Sequence, residues 1–286
     1  MSERLVYGKN PPISLVEKLN FSEKAPYIIR HKKLLSEDNT ILHYSNAIEI
    51  DICHDAIGYV SIGYYSHNIS GNQIIVIPPN LVHSVHFSQS PGDVYVLHIS
   101  LPHLQRYINL EAMLAEHGLK LSNLAYSTVE FEPVYQSVVN MVEHDDNIFF
   151  RLAEMLRIFQ TVTAHLTPAD FIISTESFRS NALMIKLIEW TEQNYNKEIH
   201  LEDAAHVIGF SKNYFCCWFK KLTGITYNNY LNDVKIAQAC VILQNTQSVS
   251  HTCSECGFKD ISYFIQLFKK KTHLTPLQYL KCFPAI

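Results

Sequence analysis

Phe219-Lys220-Lys221-Leu222-Thr223-Gly224-Ile225-Thr226, followed by Tyr230-Leu231, returns 49 positions later as Phe268-Lys269-Lys270-Lys271-Thr272-His273-Leu274-Thr275 with Tyr279-Leu280. Upstream, Gly209-Phe210 is echoed by Gly257-Phe258, and Tyr214-Phe215 by Tyr263-Phe264. A short unit carried twice at near-fixed spacing marks two similar modules on one frame. Each copy sets a turn glycine before an aromatic and basic helix, which is the layout of a helix-turn-helix.

Working outward, apolar residues at helical spacing place a helix over 182–190 and a short one over 201–208. Glu202 and Asp203 fall in the first turn of the short helix, where the helix dipole favours anions. Gly209 can take the left-handed conformation that ends it, and Ser211 is a natural N-cap for the next helix, 212–222. There Phe215, Trp218, Phe219 and Leu222 form the buried stripe at i, i+3, i+4 and i+7. Lys212, Asn213, Cys216, Cys217 and Lys220 are left to meet a partner. The second copy runs from about Val249, with Gly257 in the turn and Asp260 as N-cap. Ile261, Ser262, Ile265 and Gln266 are its expected exposed positions, and an exposed isoleucine suits contact with a thymine methyl. Between the copies, Asn228 to about Gln244 predicts one helix of about 16 residues, roughly 25 Å long. A stiff strut of that kind can hold two reading helices near the ~34 Å repeat of the major groove. A helix bundle with no partner is the alternative.

Composition is that of a globular protein: 286 residues, 47% hydrophobic and 17% charged, long enough for two domains. The net charge of −4 divides unevenly. Residues 176–286 hold 12 Lys and Arg against 9 Asp and Glu, a balance of +3, and 1–175 hold 11 against 18, a balance of −7. A local basic patch matters more to phosphate contact than the total. Lys220, Lys221, Lys269, Lys270 and Lys271 supply one in corresponding places of the two copies. The seven cysteines are an odd number, six of them after residue 215, and adjacent Cys216-Cys217 are poor disulfide spacing. A reduced, cytoplasmic chain without signal peptide or membrane span is expected. Cys253-x-x-Cys256 lacks a second pair at zinc-site distance and is read as buried apolar residues.

The stretch 182–283 resembles the double helix-turn-helix domain of the AraC/XylS family of bacterial transcription regulators. The resemblance rests on Leu201-Glu202-Asp203-Ala204-Ala205, Gly209 to Phe215 and Trp218 to Gly224. In the second copy it rests on Gly257 to Phe264, Phe268-Lys269-Lys270 and Thr275 to Tyr279. It implies a DNA-binding set of Ser211, Lys212, Asn213, Tyr214, Cys217, Lys220, Lys221, Ile261, Ser262, Gln266, Lys269 and Lys270. Within it Asn213, Cys217, Ile261, Ser262 and Gln266 occupy base-reading positions. Departures from the family pattern are Lys235 for a usual arginine, Thr252-Cys253 for an apolar-Ala pair, and His273 for a glycine. They weight direct base reading toward the first module.

Residues 27–100 carry short β-rich runs at 27–29, 41–44, 48–52, 58–62, 74–77 and 94–99, a spacing that suggests a barrel or jelly roll. Helical patterns follow at about 103–117, 132–144 and 148–166. In the last of these Leu152, Met155, Leu156, Phe159, Val162 and Leu166 share a face for packing or dimerisation. This half resembles the cupin barrel that serves AraC/XylS proteins as a sensor. His43 to Glu49 matches the first cupin motif and Pro78 to His83 the second. Ser45 stands where metal-dependent cupins have another histidine, so no metal and no cofactor are expected. His43, Glu49, Tyr64, His83, His86, Tyr95 and His98 are the candidate ligand-binding residues, with Tyr59 and Tyr65 also able to line a closed barrel. Sugar regulators of this family stack aromatics on their ligand, so the resemblance makes a carbohydrate or related metabolite the favoured effector.

The expected architecture is therefore α+β in two domains. A cupin-like sensing and dimerisation domain over 1–167 is joined by a linker, 168–178, to an all-α domain, 179–286, with two helix-turn-helix modules on a linker helix. The expected function is a non-enzymatic, effector-controlled transcription regulator, an activator. Its expected partners are double-stranded promoter DNA, a small molecule, a second copy of itself and RNA polymerase. The segment before Pro11-Pro12 is expected to act as an arm over the barrel. The rivals are a metal-dependent cupin enzyme with a helical appendage and an interaction protein that has lost DNA binding.

Overall fold

The computed structural model describes residues 6–7, 19, 21, 25–34, 38–62, 65–105, 108–109, 112, 115, 131–144, 146–164 and 175–283. The N-terminal half is built on a sheet of β1 (Val6–Tyr7), β2 (Tyr27–Lys33), β3 (Asp38–Asn39), β4 (Ala47–Ile62), β5 (Tyr65–Ile77), β6 (His83–Phe87) and β7 (Asp93–Ser100). The runs expected at 48–52 and 58–62 are one 16-residue strand, β4, broken in register by a bulge between Cys53 and Ala56. A bulge adds twist and bends its strand. The first half of β4 consequently pairs with β7 and the second half with β6, while β5 follows both halves on the other side. The strand expected at 41–44 is only an isolated bridge between His43 and His83, and β6 was not foreseen. β1 pairs parallel with β2. The rest of the expected N-terminal arm lies outside the described residues.

The strand order β1-β2-β7-β4-β6-β3, with β5 on β4, does not return on itself. Among the described residues the sheet is open, which corrects the closed barrel expected above. It carries an apolar layer on each face. Leu34, Cys53, Ala56, Val60, Ile62, Ile75, Ile77, Val85, Phe87 and Val94 pack together on the inner face. Ile48, Ile50, Ile52, Leu97 and Ile99 point the other way, because side chains alternate along a strand. They are covered by α2 (Phe131–Glu143) and α3 (Ile148–Ala164). After β7 comes a short helix, α1 (Leu101–Leu104), and most of the helix expected over 103–117 lies outside the described residues. On α3 the buried stripe is Met155, Ile158, Phe159 and Val162, whereas Phe149 and Leu156 are exposed. Leu156 thus leaves the packing face expected for it. Leu166 lies outside the described residues.

The C-terminal half is helical: α4 (Thr175–Asn194), α5 (Leu201–Val207), α6 (Lys212–Thr223), α7 (Tyr227–Thr246), α8 (Val249–Glu255), α9 (Ile261–Thr272) and α10 (Pro276–Cys282). The caps are written in the sequence. Ser211 Oγ accepts from Tyr214 N, Thr226 Oγ1 from Asn229 N, Asp260 Oδ1 from Tyr263 N and Thr275 Oγ1 from Gln278 N. Gln278 returns the bond by accepting from Thr275 N at 2.9 Å, a reciprocal capping box. Gly224 and His273 end α6 and α9 in the same left-handed conformation, at φ 74° and 61°.

Twenty residues make α7 about 30 Å long, a turn longer than expected. It belongs to two cores. Tyr227, Tyr230, Leu231 and Val234 pack with Phe215, Trp218, Phe219 and α4. Ile236, Ala239, Cys240 and Leu243 pack with Cys253, Cys256, Phe264, Phe268 and Tyr279. Among the described residues no helix is long and apolar enough to cross a membrane.

Candidate nucleic-acid interface and the buried polar cluster

On α6, Phe215, Trp218, Phe219 and Leu222 are buried, and Ser211, Lys212, Asn213, Tyr214, Cys217, Lys220 and Lys221 are exposed around the opposite face. On α9, Phe264 and Phe268 are buried, and Ile261, Ser262, Gln266, Lys269 and Lys270 are exposed. Ile265, expected at the surface, is half-buried against the second core instead. Tyr263, missing from the expected set, is exposed at the position equivalent to Tyr214, as the alignment of the two copies would have indicated. Lys212 Nζ lies 2.8 Å from Glu202 Oε1, which couples the start of α6 to α5. Lys271, exposed like Lys269 and Lys270, is paired with Asp233 of α7.

The turns before the two helices differ. Gly209 and Gly257 both have positive φ, 76° and 68°, where a side chain is strained. A Cβ on Gly209 would meet nothing within 4 Å, but on Gly257 it would lie 2.2 Å from Asn196 O. The second turn is therefore pressed against the α4–α5 loop. Its carbonyl accepts from Lys235 Nζ at 3.1 Å, and the same ammonium lies 5.2 Å from the Phe258 ring centre. Burial lowers the Lys235 pKa from the usual lysine value. Lys235 therefore fastens the linker helix to the second turn, a role one point charge can fill without a guanidinium fork. Asn232 Nδ2 donates to Tyr263 Oη, and Lys259 Nζ lies 2.9 Å from Glu198 Oε2. The two modules are held at a fixed relation.

All seven cysteines are free thiols. Cys253 and Cys256 are buried in the second core, and burial pushes the Cys256 thiol up to about 12, as expected of apolar packing residues. Cys217 is exposed.

In the sheet, His43, Glu49, His83 and His98 come together on the inner face, each almost fully buried. Glu49 and His98 are cross-strand neighbours on β4 and β7, and His43 and His83 exchange backbone hydrogen bonds at 2.9 Å in both directions. Oε2 of Glu49 lies 3.3 Å from Nε2 of His83 and 3.3 Å from Nε2 of His98. Both separations are ion-pair distances without hydrogen-bond alignment, since Glu49 Oε2 and His83 Nε2 find no hydrogen-bond partner. Burial alone would raise the Glu49 carboxyl, but His83 and His98 outweigh it and hold it well below the usual range. Burial would lower His83, and Glu49 reverses that. Burial and the neighbouring His83 push His43 down to about 3.

Asp51, absent from the expected set, completes the cluster: burial first and Glu49 second push its carboxyl well up. Its signal was in the sequence, because Ile48-Glu49-Ile50-Asp51-Ile52 alternates and so aims both carboxylates at one face. Ser45 is not a member, since its hydroxyl accepts from Ala47 N at 3.3 Å where the chain enters β4. His86 and Tyr95 lie elsewhere. His86 stacks on Tyr59 at 4.5 Å on the outer side of β6, and Tyr95 packs under α2 with Tyr135. Both are out of step with the inner-facing His83 and His98 by an odd number of residues. Tyr64 and the side chain of Tyr65 lie outside the described residues.

The cluster abuts the helical half. Leu42, Tyr44 and Val82, chain neighbours of His43 and His83, belong to the core formed by α4, α6 and the first half of α7. Tyr44 Oη donates to Glu189 Oε1 at 2.8 Å. Asn181 accepts from Val82 N at 2.9 Å and donates to Asn80 O at 2.8 Å.

Comparison with known proteins agrees with the repeat. Residues 204–281 match the family model for a helix-turn-helix domain. A relative from Pseudoalteromonas carrageenovora, an uncharacterised HTH-type transcriptional regulator in the cgkA 5′ region, is 35% identical over 120 residues, 39% of this chain and 72% of that one. The HTH-type transcriptional activator RhaS of Mannheimia succiniciproducens is 24% identical over 240 residues, 82% of this chain and 87% of that one. Other relatives are matched over about a third to a half of their own length, such as 34% of Bacillus subtilis YdeC and 52% of Salmonella schwarzengrund RhaR. Among solved structures, ToxT from Vibrio cholerae O395 aligns over 91% of this chain and 99% of its own at 16% identity, with a TM-score of 0.45. The duplicated helix-turn-helix and these relatives identify the chain as a DNA-binding transcription regulator that belongs to the AraC/XylS family.

Proposed function

We propose that the chain is a sequence-specific transcription activator whose DNA affinity is set by an effector bound in its N-terminal half. The observation that carries the proposal is the pair of exposed, basic helix faces on α6 and α9, held rigidly by α7, Lys235 and the loop around Asn196. In this reading Asn213, Cys217, Ile261, Ser262 and Gln266 meet base edges, while Ser211, Lys212, Tyr214, Lys220, Lys221, Lys269 and Lys270 meet the backbone. The domains are 1–167, 168–178 and 179–286, the first being cupin-like in ancestry and opened by the bend in β4. A homodimer through α3 is supported by Phe149, 81% exposed, and Leu156, 42% exposed. RNA polymerase is the further partner that activation requires. A carbohydrate or related metabolite is the effector class the family resemblance favours, and contact by the drawn set His43, Glu49, Tyr64, His83, His86, Tyr95 and His98 would then involve only part of it.

Anisotropy titration of the full chain against its own upstream DNA at several salt concentrations tests the proposal. Asn213→Ala should change base preference by about 1–3 kcal/mol, and Lys269→Ala should weaken all sequences alike and lower the salt slope by ~1. Absent or salt-insensitive binding would refute it.

A further inference from the structure

Base edges in the major groove select side chains by chemistry. Guanine takes the paired donors of arginine or lysine, cytosine a carboxylate, adenine a carboxamide, and the thymine methyl an apolar group. Residues 176–286 hold one arginine, Arg179, and it lies on α4 rather than on either reading helix. The N-terminal ends of α6 and α9 are the ends that meet base edges, and the charged groups there are engaged. Lys212 Nζ lies 2.8 Å from Glu202 Oε1, Lys259 Nζ lies 2.9 Å from Glu198 Oε2, and the Asp260 carboxylate accepts from Tyr263 N. Lys220, Lys221, Lys269 and Lys270 stand in the last turns of the two helices, where they suit phosphates.

The exposed side chains left at the reading positions are neutral. On α6 they are Asn213 and, one turn on, Cys217. On α9 they are Ile261, 44% exposed, Ser262 and, one turn on from it, Gln266. Tyr214 stands edge-on to Phe210, and the Tyr263 hydroxyl accepts from Asn232. Each helix thus presents one carboxamide and one apolar group, since a free cysteine behaves as a small hydrophobe. Among the described residues neither the Asn213 nor the Gln266 carboxamide hydrogen-bonds within the chain, so each keeps a donor for adenine N7 and an acceptor for adenine N6.

We infer that both modules read A·T base pairs. Asn213 and Gln266 each hold an adenine through N6 and N7, Cys217 and Ile261 each cover a thymine methyl, and no guanine or cytosine is read directly. This rests on the regulator reading and names the class of sequence that the regulator recognises. Serine bonds to any base, so Ser262 adds contact without choice. The carboxamide precedes the apolar group on α6 and follows it on α9, so the two DNA segments are not copies of one another.

The test selects sequences bound by the full chain from a random double-stranded library and then probes the selected site with base analogues. The most constrained pairs facing both helices should be A·T. Uracil in place of thymine removes only the methyl group and should weaken binding about 4-fold at the pair Ile261 covers. 7-Deazaadenine lacks N7 and should weaken binding at the pairs held by Asn213 and Gln266, while 7-deazaguanine should change nothing. Ile261→Ala should abolish the uracil effect, and Gln266→Ala the 7-deazaadenine effect in the second segment. Cys217→Arg should turn one pair of the first segment toward guanine by about 5- to 150-fold, and it decides the matter if an alanine variant lacks the native circular dichroism. A selected site constrained at G·C pairs overturns the inference and leaves the regulator reading standing. An A·T site indifferent to both analogues does the same, because groove shape would then be what is read. Failure to enrich any sequence counts against the regulator reading and removes the inference with it.

Discussion

Gly257→Ala and Gly209→Ala are the same chemical change at equivalent turns, and they should differ several-fold in cost. Both residues hold positive φ, 68° and 76°. An alanine there is strained by about 1–2 kcal/mol, partly offset by about 0.4–1 kcal/mol from a less flexible unfolded chain. Gly209→Ala, with nothing within 4 Å of the added carbon, should stop at roughly 1 kcal/mol. At Gly257 the new carbon would sit 2.2 Å from Asn196 O and 2.6 Å from its carbonyl carbon. Ordinary contact needs a retreat of about 1 Å, and overpacking of this kind adds about 1–3 kcal/mol. The obstacle is backbone, in a loop whose Tyr195 reaches both helical cores and whose Lys197 N–H donates to Asn194 O at 2.9 Å. Retreat also disturbs the bond from Lys235 Nζ to Gly257 O. Gly257→Ala should therefore lose about 2–4 kcal/mol. Urea unfolding followed by circular dichroism gives the totals, and hydrogen exchange resolved by peptide should place the excess in α8 and α9. Equal losses at the two glycines would refute the close approach as the cause.

His273→Gly should stabilise the chain by about 0.5–1 kcal/mol, because His273 closes α9 at φ 61° where glycine carries no strain; an unchanged or lower urea midpoint counts against it. Lys235→Met should cost about 1–3 kcal/mol by stranding the Gly257 carbonyl, and it should weaken DNA binding without changing the salt slope, since no phosphate contact is lost. A slope lowered by ~1 would make Lys235 a phosphate ligand instead. Tyr44→Phe removes the donor to Glu189 Oε1 and should cost about 0.5–1.5 kcal/mol, read as faster hydrogen exchange in the second half of α4. Unaltered exchange there would show the contact to be dispensable.

The helical half was legible because its signals are local. Ser211, Asp260 and Thr275 each cap within three residues, and Phe215 to Leu222 repeat at the helix period. Sequence placed Ile265 at the surface because its spacing is equally compatible with the edge of the buried stripe, and only the second core decides between them. The sheet was less legible because its pairing is long-range. Nothing near Cys53 announces that two β-rich runs are one strand bent by a bulge, and 41–44 reads as a strand although it makes a single bridge. The alternation rule, applied from His83 and His98, would have removed His86 and Tyr95 from the inner face and added Asp51. The contact of Leu42, Tyr44 and Val82 with α4 joins residues about a hundred or more positions apart and has no sequence signature.

Among the described residues, the N-terminal half packs into one end of the helical half. Leu42, Tyr44 and Val82 enter the core that contains α6, and no described residue of the N-terminal half enters the core that contains α9. The second module is reached through α7, through Lys235 and through the loop at Asn196, all internal to the helical half. A signal arising beside His43 and His83 therefore acts on the helical half as one body, and the spacing between α6 and α9 should survive it. In a dimer joined through the N-terminal half, what changes is the separation or phase of the two protomers' sites. Footprinting with and without effector, on DNAs whose two sites are separated by spacers lengthened one base pair at a time, distinguishes the cases. The preferred spacer should shift while protection within each site stays the same. A changed pattern inside a single site would mean that the two readers move against each other, which the shared helix α7 and the Lys235 bond oppose.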